Sequence, residues 1–172
     1  MNLLETNRLI LREFNADDAN FILELLNTPS WLKFIGDRNV KNINDANKYI
    51  SDKLLNSYTK NGFGLYLITT KNGNIPVGMC GLIKREVLEN VDLGFALCPS
   101  FTGNGYAFEA AFATLNYAKT VLKLERIIAI TTKENKNSIK LLEKLNFVFE
   151  KMVHLSNDEE ELMLFSNRKL NL

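Results

Sequence analysis

Apolar and polar positions along this chain follow two periods, and the switches between them mark its elements. Arg8-Leu9-Ile10-Leu11-Arg12 alternates with period two, as a half-buried strand does. Asp17 and Asp18 then open a helical stretch in which Ala19, Ile22, Leu23 and Leu26 share one face, and Pro29 is expected to stop it. Ser30 to Asn42 reads as irregular. A second helix is expected from about Asn44 to Lys60, burying Ala46, Ile50 and Leu54, with Gly62 ending it. Phe63 to Thr70 returns to strand character. Lys71-Asn72-Gly73-Asn74 supplies hairpin-turn chemistry, and Val77 to Lys84 reads as the partner strand. Glu89-Asn90 turns the chain into Val91 to Leu97, and Pro99 ends that strand. Three sequential strands with short turns predict an antiparallel meander.

Gly105 to Leu122 predicts an amphipathic helix with Phe108, Phe112, Leu115 and Leu122 on its buried stripe and Ala111 and Ala118 beside them. Arg126 to Thr131 is a short Ile-rich run that reads as a strand buried on both faces. Asn137 or Ser138 is expected to cap a short helix carrying Ile139, Leu142 and Leu145, with Asn146 closing it in the left-handed conformation. Phe147 to Leu155 and Glu161 to Phe165 read as a closing hairpin through Ser156-Asn157-Asp158. The expected fold is mixed α/β, with a mostly antiparallel central sheet of about seven strands and four helices.

Composition narrows the function class. At 172 residues the chain is expected to form a single domain, 1–172, and 46% hydrophobic residues exclude wholesale disorder. A net charge of +1 argues against a grip on nucleic acid through its phosphates. No run approaches a membrane span, and Met1 to Thr6 lacks the pattern of a secretory signal. Cys80 and Cys98 make no metal motif with the single His154, so no metal is expected. As buried free thiols they point to a cytoplasmic location.

The chemistry concentrates in Phe95 to Ala107, where a buried strand runs through Gly103-Asn104-Gly105 into the long helix. Glycines allow close backbone approach, and the first N–H groups of a helix lack internal partners. Together they make an anion cradle suited to a diphosphate. The alternative is a tight strand-to-helix turn with no ligand. Position 108 is Phe, so the third glycine of a dinucleotide fingerprint is missing, and no Gly-Lys-Ser/Thr follows.

Leu97-Cys98-Pro99-Ser100-Phe101-Thr102-Gly103-Asn104-Gly105-Tyr106-Ala107-Phe108-Glu109-Ala110 resembles the acetyl-CoA motif of the GNAT N-acetyltransferases, in particular the ribosomal-protein N-terminal acetyltransferase branch. Thr6-Asn7-Arg8-Leu9-Ile10-Leu11-Arg12 resembles that family's first strand. Asp92-Leu93-Gly94-Phe95 resembles its strand before the phosphate loop. Asn135 to Ile139 with Glu143-Lys144-Leu145-Asn146-Phe147 resembles its Asn-x-x-Ser-Ile and Glu-Lys-x-Gly-Phe block. Ser100 stands where many members carry Arg or Gln, and Asn146 replaces the usual Gly. The resemblance implies acetyl-CoA as cofactor, with CoA as product. It places the pantetheine along the backbone of Leu97 and Cys98. The diphosphate would lie on the N–H groups of Thr102, Gly103, Asn104, Gly105, Tyr106 and Ala107. Asn135 would bond the pantetheine arm, with Ser138 nearby.

Acetyl transfer to an amine needs a base for the ammonium proton, a donor for the oxyanion and a route for the leaving thiolate. A backbone N–H near Leu97 or Cys98 is the candidate oxyanion donor. Asp92 is the first candidate base, directly or through water, against its reading as an ordinary strand carboxylate. Many members of the family use a Tyr acid where Leu141 and Leu142 stand here. Ser138 is the alternative donor, or a helix cap. The resemblance places Trp31, Phe34, Asp37 and Arg38 over the acceptor, where an aromatic with a carboxylate suits an amine. The competing reading makes Trp31 a core anchor. His154, Glu86, Glu89 and the acidic run from Asp158 read as strand or solvated residues, and Glu109 as a helix-dipole partner. The expectation is an N-acetyltransferase acting by direct transfer in a ternary complex, as a monomer or homodimer. Its partner is an amine-bearing acceptor: a peptide N-terminus, or a small amine such as a polyamine, amino acid or drug. The rival of another class is a non-catalytic acyl-CoA-binding module. Neither nucleic acid nor membrane is an expected partner.

Overall fold

The computed structural model describes residues 2–155 and 160–167. The strands are β1 (Asn2–Glu5), β2 (Leu9–Arg12), β3 (Leu65–Thr70), β4 (Pro76–Ile83), β5 (Val91–Leu97), β6 (Ile127–Thr131), β7 (Phe147–His154) and β8 (Glu161–Asn167). They form one sheet in the order β1-β2-β3-β4-β5-β6-β8-β7. Every neighbouring pair is antiparallel except β5 with β6. The helices are α1 (Ala19–Leu26), α2 (Pro29–Phe34), α3 (Ile43–Tyr49), α4 (Asn56–Asn61), α5 (Tyr106–Thr120) and α6 (Lys136–Lys144). The expected turn at Ser156-Asn157-Asp158, and with it the first half of the acidic run, lies outside the described residues.

The mixed, mostly antiparallel sheet is as expected, with one strand more. The extra strand, β1, carries only Leu3 and Leu4 as apolar positions and pairs along β2 through Leu4↔Leu11 and Glu5↔Ile10. Among the described residues helical stretches number five against four, because Pro29 starts a helix as well as stopping one. Proline is tolerated at the first helical position, where its missing N–H costs nothing, and Thr28 caps the turn by accepting from the Trp31 N–H at 3.4 Å. The second expected helix is one continuous stretch, but Ile50–Leu55 winds it as a π-turn between α3 and α4. Gly62 ends it with a φ of 76°. Asn135, not Asn137 or Ser138, caps α6 by accepting from the Ser138 N–H at 3.1 Å. Asn146 follows with a φ of 64°.

One core cluster lies between the sheet and α5 and α6, and a second between the sheet and α1, α2, α3 and the π-turn at Ile50–Leu55. The buried stripe of α5 differs from expectation. Ala110, Ala111, Thr114, Leu115 and Ala118 face the sheet, while Phe112 is exposed and stacks on Phe108 with centroids 6.0 Å apart. Small residues let the helix lie close to β4, where Thr114 Oγ1 meets Cys80 Sγ at 3.6 Å. That close approach fixes where the first turn of α5 meets the end of β5. No helix among the described residues is long and apolar enough to cross a membrane.

Candidate active site

The site starts from a defect in the sheet. Strands β5 and β6 pair only at Val91↔Ile127 and Asp92↔Ile128. From Ala129 onward β6 still pairs with β8, so beyond Asp92 the β6-facing edge of β5 is open. The Cys98 N–H donates to the Val77 carbonyl at 2.9 Å, in register with Gly78↔Leu97. Hydrogen-bonded and non-bonded pairs alternate along an antiparallel ladder. The main-chain groups of Leu93, Phe95 and Leu97 therefore point toward the opening. Those of Cys98 do not, because its carbonyl also accepts from the Phe101 N–H at 3.0 Å. Of the two expected contacts, the geometry brings Leu97 to the opening and leaves Cys98 engaged elsewhere.

Past Cys98 the chain makes a tight turn in which the Thr102 N–H and hydroxyl both donate to the Pro99 carbonyl, at 3.3 and 2.8 Å. Thr102 thus spends its amide on the turn. The next amides do not. Gly103 and Gly105 take φ values of 81° and 79°, and the N–H groups of Gly103, Asn104 and Gly105 have no protein partner among the described residues. They lead into those of Tyr106, Ala107 and Phe108, which a first helical turn leaves unpaired. This row of donors, where the helix dipole is positive, fits an anionic group such as a diphosphate. The open strand edge behind it fits an amide-bearing arm. The residues present therefore fit CoA.

The loop is braced from the other end of the chain. Arg8 donates from Nη1 to the Asn104 carbonyl at 2.9 Å and from Nε to Glu109 Oε2 at 2.7 Å, and its guanidinium lies 4.7 Å from the Tyr106 ring centroid. The Thr6 hydroxyl and the Arg8 N–H both donate to Glu109 Oε1, at 2.6 and 2.9 Å. Burial opposes the charge on Glu109, but these donors outweigh it and hold its pKa below the ordinary carboxylate range. Glu109 is thus a tie between β2 and α5 as well as a helix-dipole partner. Nothing local in the sequence announces the pairing of residues 8 and 109.

At the β6 end of the opening lies a cavity of about 470 Å³. It brings together Trp31, Phe34, Arg38, Asp92, Asn135 and Ser138, the acceptor and catalytic candidates. Asp37 is not among its walls; that carboxylate is exposed and pairs with Lys41 at 2.7 Å. Among the described residues the carboxylate that joins Trp31 and Phe34 at this cavity is therefore Asp92 of β5, not Asp37. Trp31 is buried in the core under α1, as its competing reading expects, and it also forms part of the cavity wall. Since Asn135 supplies the cap, the Ser138 hydroxyl is not consumed by capping.

Asp92 is 1% exposed at the floor of this cavity. Its Oδ2 accepts from Arg85 Nε at 2.7 Å, and its Oδ1 finds no hydrogen-bond partner among the described residues. Burial pushes its pKa up to about 6, against the opposing influence of Arg85 and, least, the Ile130 N–H. The two thiols are in the opposite condition for chemistry. Burial pushes Cys98 up to about 11 and Cys80 up to about 12, so neither is a thiolate near neutrality. Arg85, Tyr49, Lys53 and Lys84 also wall the cavity. None of them stood out in the sequence. Residues of these kinds are common along a chain, and only the fold shows that these four face one space.

The comparisons with known proteins agree with this geometry. The family model for the GNAT acetyltransferase domain matches residues 8–148. The uncharacterised N-acetyltransferase p20 of Bacillus licheniformis is 30% identical, over 86% of this chain and 83% of its own length. Among solved structures, the ribosomal-protein-S5-alanine acetyltransferase of Vibrio fischeri superposes with a TM-score of 0.80 at 20% identity, covering 98% of this chain and 97% of that one. A chimera of the spermidine N-acetyltransferase SpeG of Vibrio cholerae with hSSAT gives 0.74 at 17% identity, covering 92% and 93%. With the open strand edge, the free loop amides and the family match in agreement, this chain belongs to the GNAT acetyltransferases and is an acetyltransferase enzyme.

Proposed function

We propose that this enzyme moves the acetyl group of acetyl-CoA directly onto a primary amine held in the cavity, with Asp92 as the base. The observation that carries this reading is the continuity of one segment. Residues 92–107 run from a buried carboxylate, along an open strand edge, to a row of free amides. A thioester-bearing arm laid on that edge supplies the acetyl group. The loop amides from Gly103 to Ala107 hold the diphosphate, and the backbone of Leu97 aligns the arm. An N–H on the β6-facing edge polarises the thioester carbonyl.

Trp31, Phe34 and Arg38 wall the acceptor. The proton passes to Asp92, whose shielded Oδ1 favours a relay through one water over direct contact. Ser138 donates toward the departing sulfur, and Asn135 toward the arm. Both thiols are buried and protonated, which supports transfer without an acyl-enzyme. The acceptor is a protein N-terminus or a small amine; the name of the Vibrio fischeri protein gives a ribosomal-protein alanine as the acceptor of that protein.

A pH–rate comparison tests the role of Asp92. The native enzyme should lose kcat/KM as pH falls through about 6, because the base must be ionised. Asp92→Asn should lower kcat roughly 10²–10⁴-fold while leaving CoA affinity unchanged. Full activity in Asp92→Asn would remove Asp92 from the mechanism.

A further inference from the structure

The acceptor end of the cavity is cationic. Four of its wall residues are basic, Arg38, Lys53, Lys84 and Arg85, against the single carboxylate of Asp92. They come from three separate segments: the loop after α2, the π-turn, and the loop after β4. Among the described residues neither Arg38, Lys53 nor Lys84 has a carboxylate within ion-pair distance, and Lys84 only donates to the Glu89 carbonyl at 3.2 Å. Arg85 spends its Nε on Asp92. Arg38 and Arg85 both act on the half-buried Tyr49 phenol, which shows how closely the segments converge. On a chain whose net charge is only +1, so local an excess is unfavourable by itself and favourable around an anion.

The cofactor does not account for these cations. Its anionic end belongs on the free amides after Gly103, beyond the far end of β5 from Asp92. A strand of seven residues places those two regions roughly 20 Å apart. A polyamine acceptor is also disfavoured, because it would add cations to four cations, and the one carboxylate present is buried and already paired.

We propose that the acceptor is an amine carrying an acidic side chain close to its reacting nitrogen, bound by Arg38, Lys53, Lys84 and the free edge of Arg85. This rests on the reading of the cavity as the acceptor site, and names the substrate class. Two sources share the chemistry: a free acidic amino acid, and a peptide with Asp or Glu just after its N-terminal residue.

The test compares acceptors of equal size. Ala-Asp-Glu, Ala-Asn-Gln and Ala-Lys-Arg peptides, free glutamate, glutamine and spermidine are offered with acetyl-CoA, and binding of each to the CoA-loaded enzyme is measured by calorimetry. The expected result is at least a tenfold preference in kcat/KM for the acidic peptide or glutamate over its amide counterpart. That preference should shrink in 1 M salt, where charges more than about 3 Å apart are screened. The exposed positions allow Arg38→Glu and Lys53→Glu without disturbing the core; either alone should shrink the preference and the double variant should reverse it. Preference within the peptides alone, or within the free amino acids alone, identifies the source. Equal use of the acidic and amide members in both the peptide pair and the amino-acid pair, or good use of spermidine, overturns the proposal while leaving acetyl transfer intact. Selective binding of the acidic ligands without any turnover would sustain the anion site and defeat the catalytic reading.

Discussion

Replacing Asp92 by Asn should make the protein more stable, and increasingly so as pH rises. An ordinary aspartate titrates near 3.8, whereas burial pushes Asp92 to about 6. The folded state therefore holds this proton more tightly than the unfolded chain does. Stability is greatest while the group is neutral, below about pH 4, and is lost as pH rises through 6. At about 1.4 kcal/mol per pH unit, the interval corresponds to roughly 3 kcal/mol of destabilisation at neutral pH. Asparagine keeps the shape and an acceptor for Arg85 but does not titrate. Urea denaturation of both proteins at pH 4, 5, 6 and 7 should thus show the Asp92→Asn variant gaining on the native protein by roughly 2–2.5 kcal/mol across the series, since part of the effect is already present at pH 4. A constant difference from pH 4 to pH 7 would refute the reasoning. So would the opposite slope, which would mean that the Arg85 ion pair outweighs burial and holds the carboxylate low.

Other outcomes follow from the loop and its brace. Gly105→Val should raise the Kd for CoA at least tenfold in calorimetry, because a β-branched residue at a φ of 79° is strained and its Cβ would meet Arg8 Nη2 at 3.4 Å. Glu109→Ala frees Arg8 and two donors; CoA affinity should fall by about 1–2 kcal/mol, and unchanged affinity would show that the loop needs no brace. Cys98→Ala should keep kcat within about twofold, since a buried protonated thiol takes no part in direct transfer; loss of turnover with intact CoA binding would put an acyl-enzyme back in play.

Where the sequence was legible, local chemistry decided the structure. The hairpin at Asn72-Gly73-Asn74, the stop at Gly62 and the turn at Gly103-Asn104-Gly105 all rest on backbone conformations that these residues favour. The free amides of the glycine loop follow from the same few residues. Pro29 misled because a proline both ends one helix and starts the next, and only the Thr28 cap decides between them. The π-turn at Ile50–Leu55 left no mark because its apolar spacing matches an ordinary helix within a turn. Phe112 looked like core on its helix, yet the alanines beside it allow the closer packing, so they take the buried face.

The cationic end of the cavity was the least legible part, since its character comes from tertiary convergence. Asp37 stood near Trp31 in sequence but turned to Lys41. Arg85, Lys53 and Lys84 were unremarkable until the fold set them around Asp92. The missing signal was long-range pairing, which no window of a single chain contains.

The most direct measurement is the fate of the acetyl group. Enzyme is mixed with acetyl-CoA and the amine panel, free CoA is titrated, and both the amines and the intact protein are weighed by mass spectrometry. Direct transfer predicts one acetylated amine per CoA released and no acetylated enzyme at any time. CoA binding with no amine acetylated, or an acetyl group that resides on the protein before the amine, would contradict it.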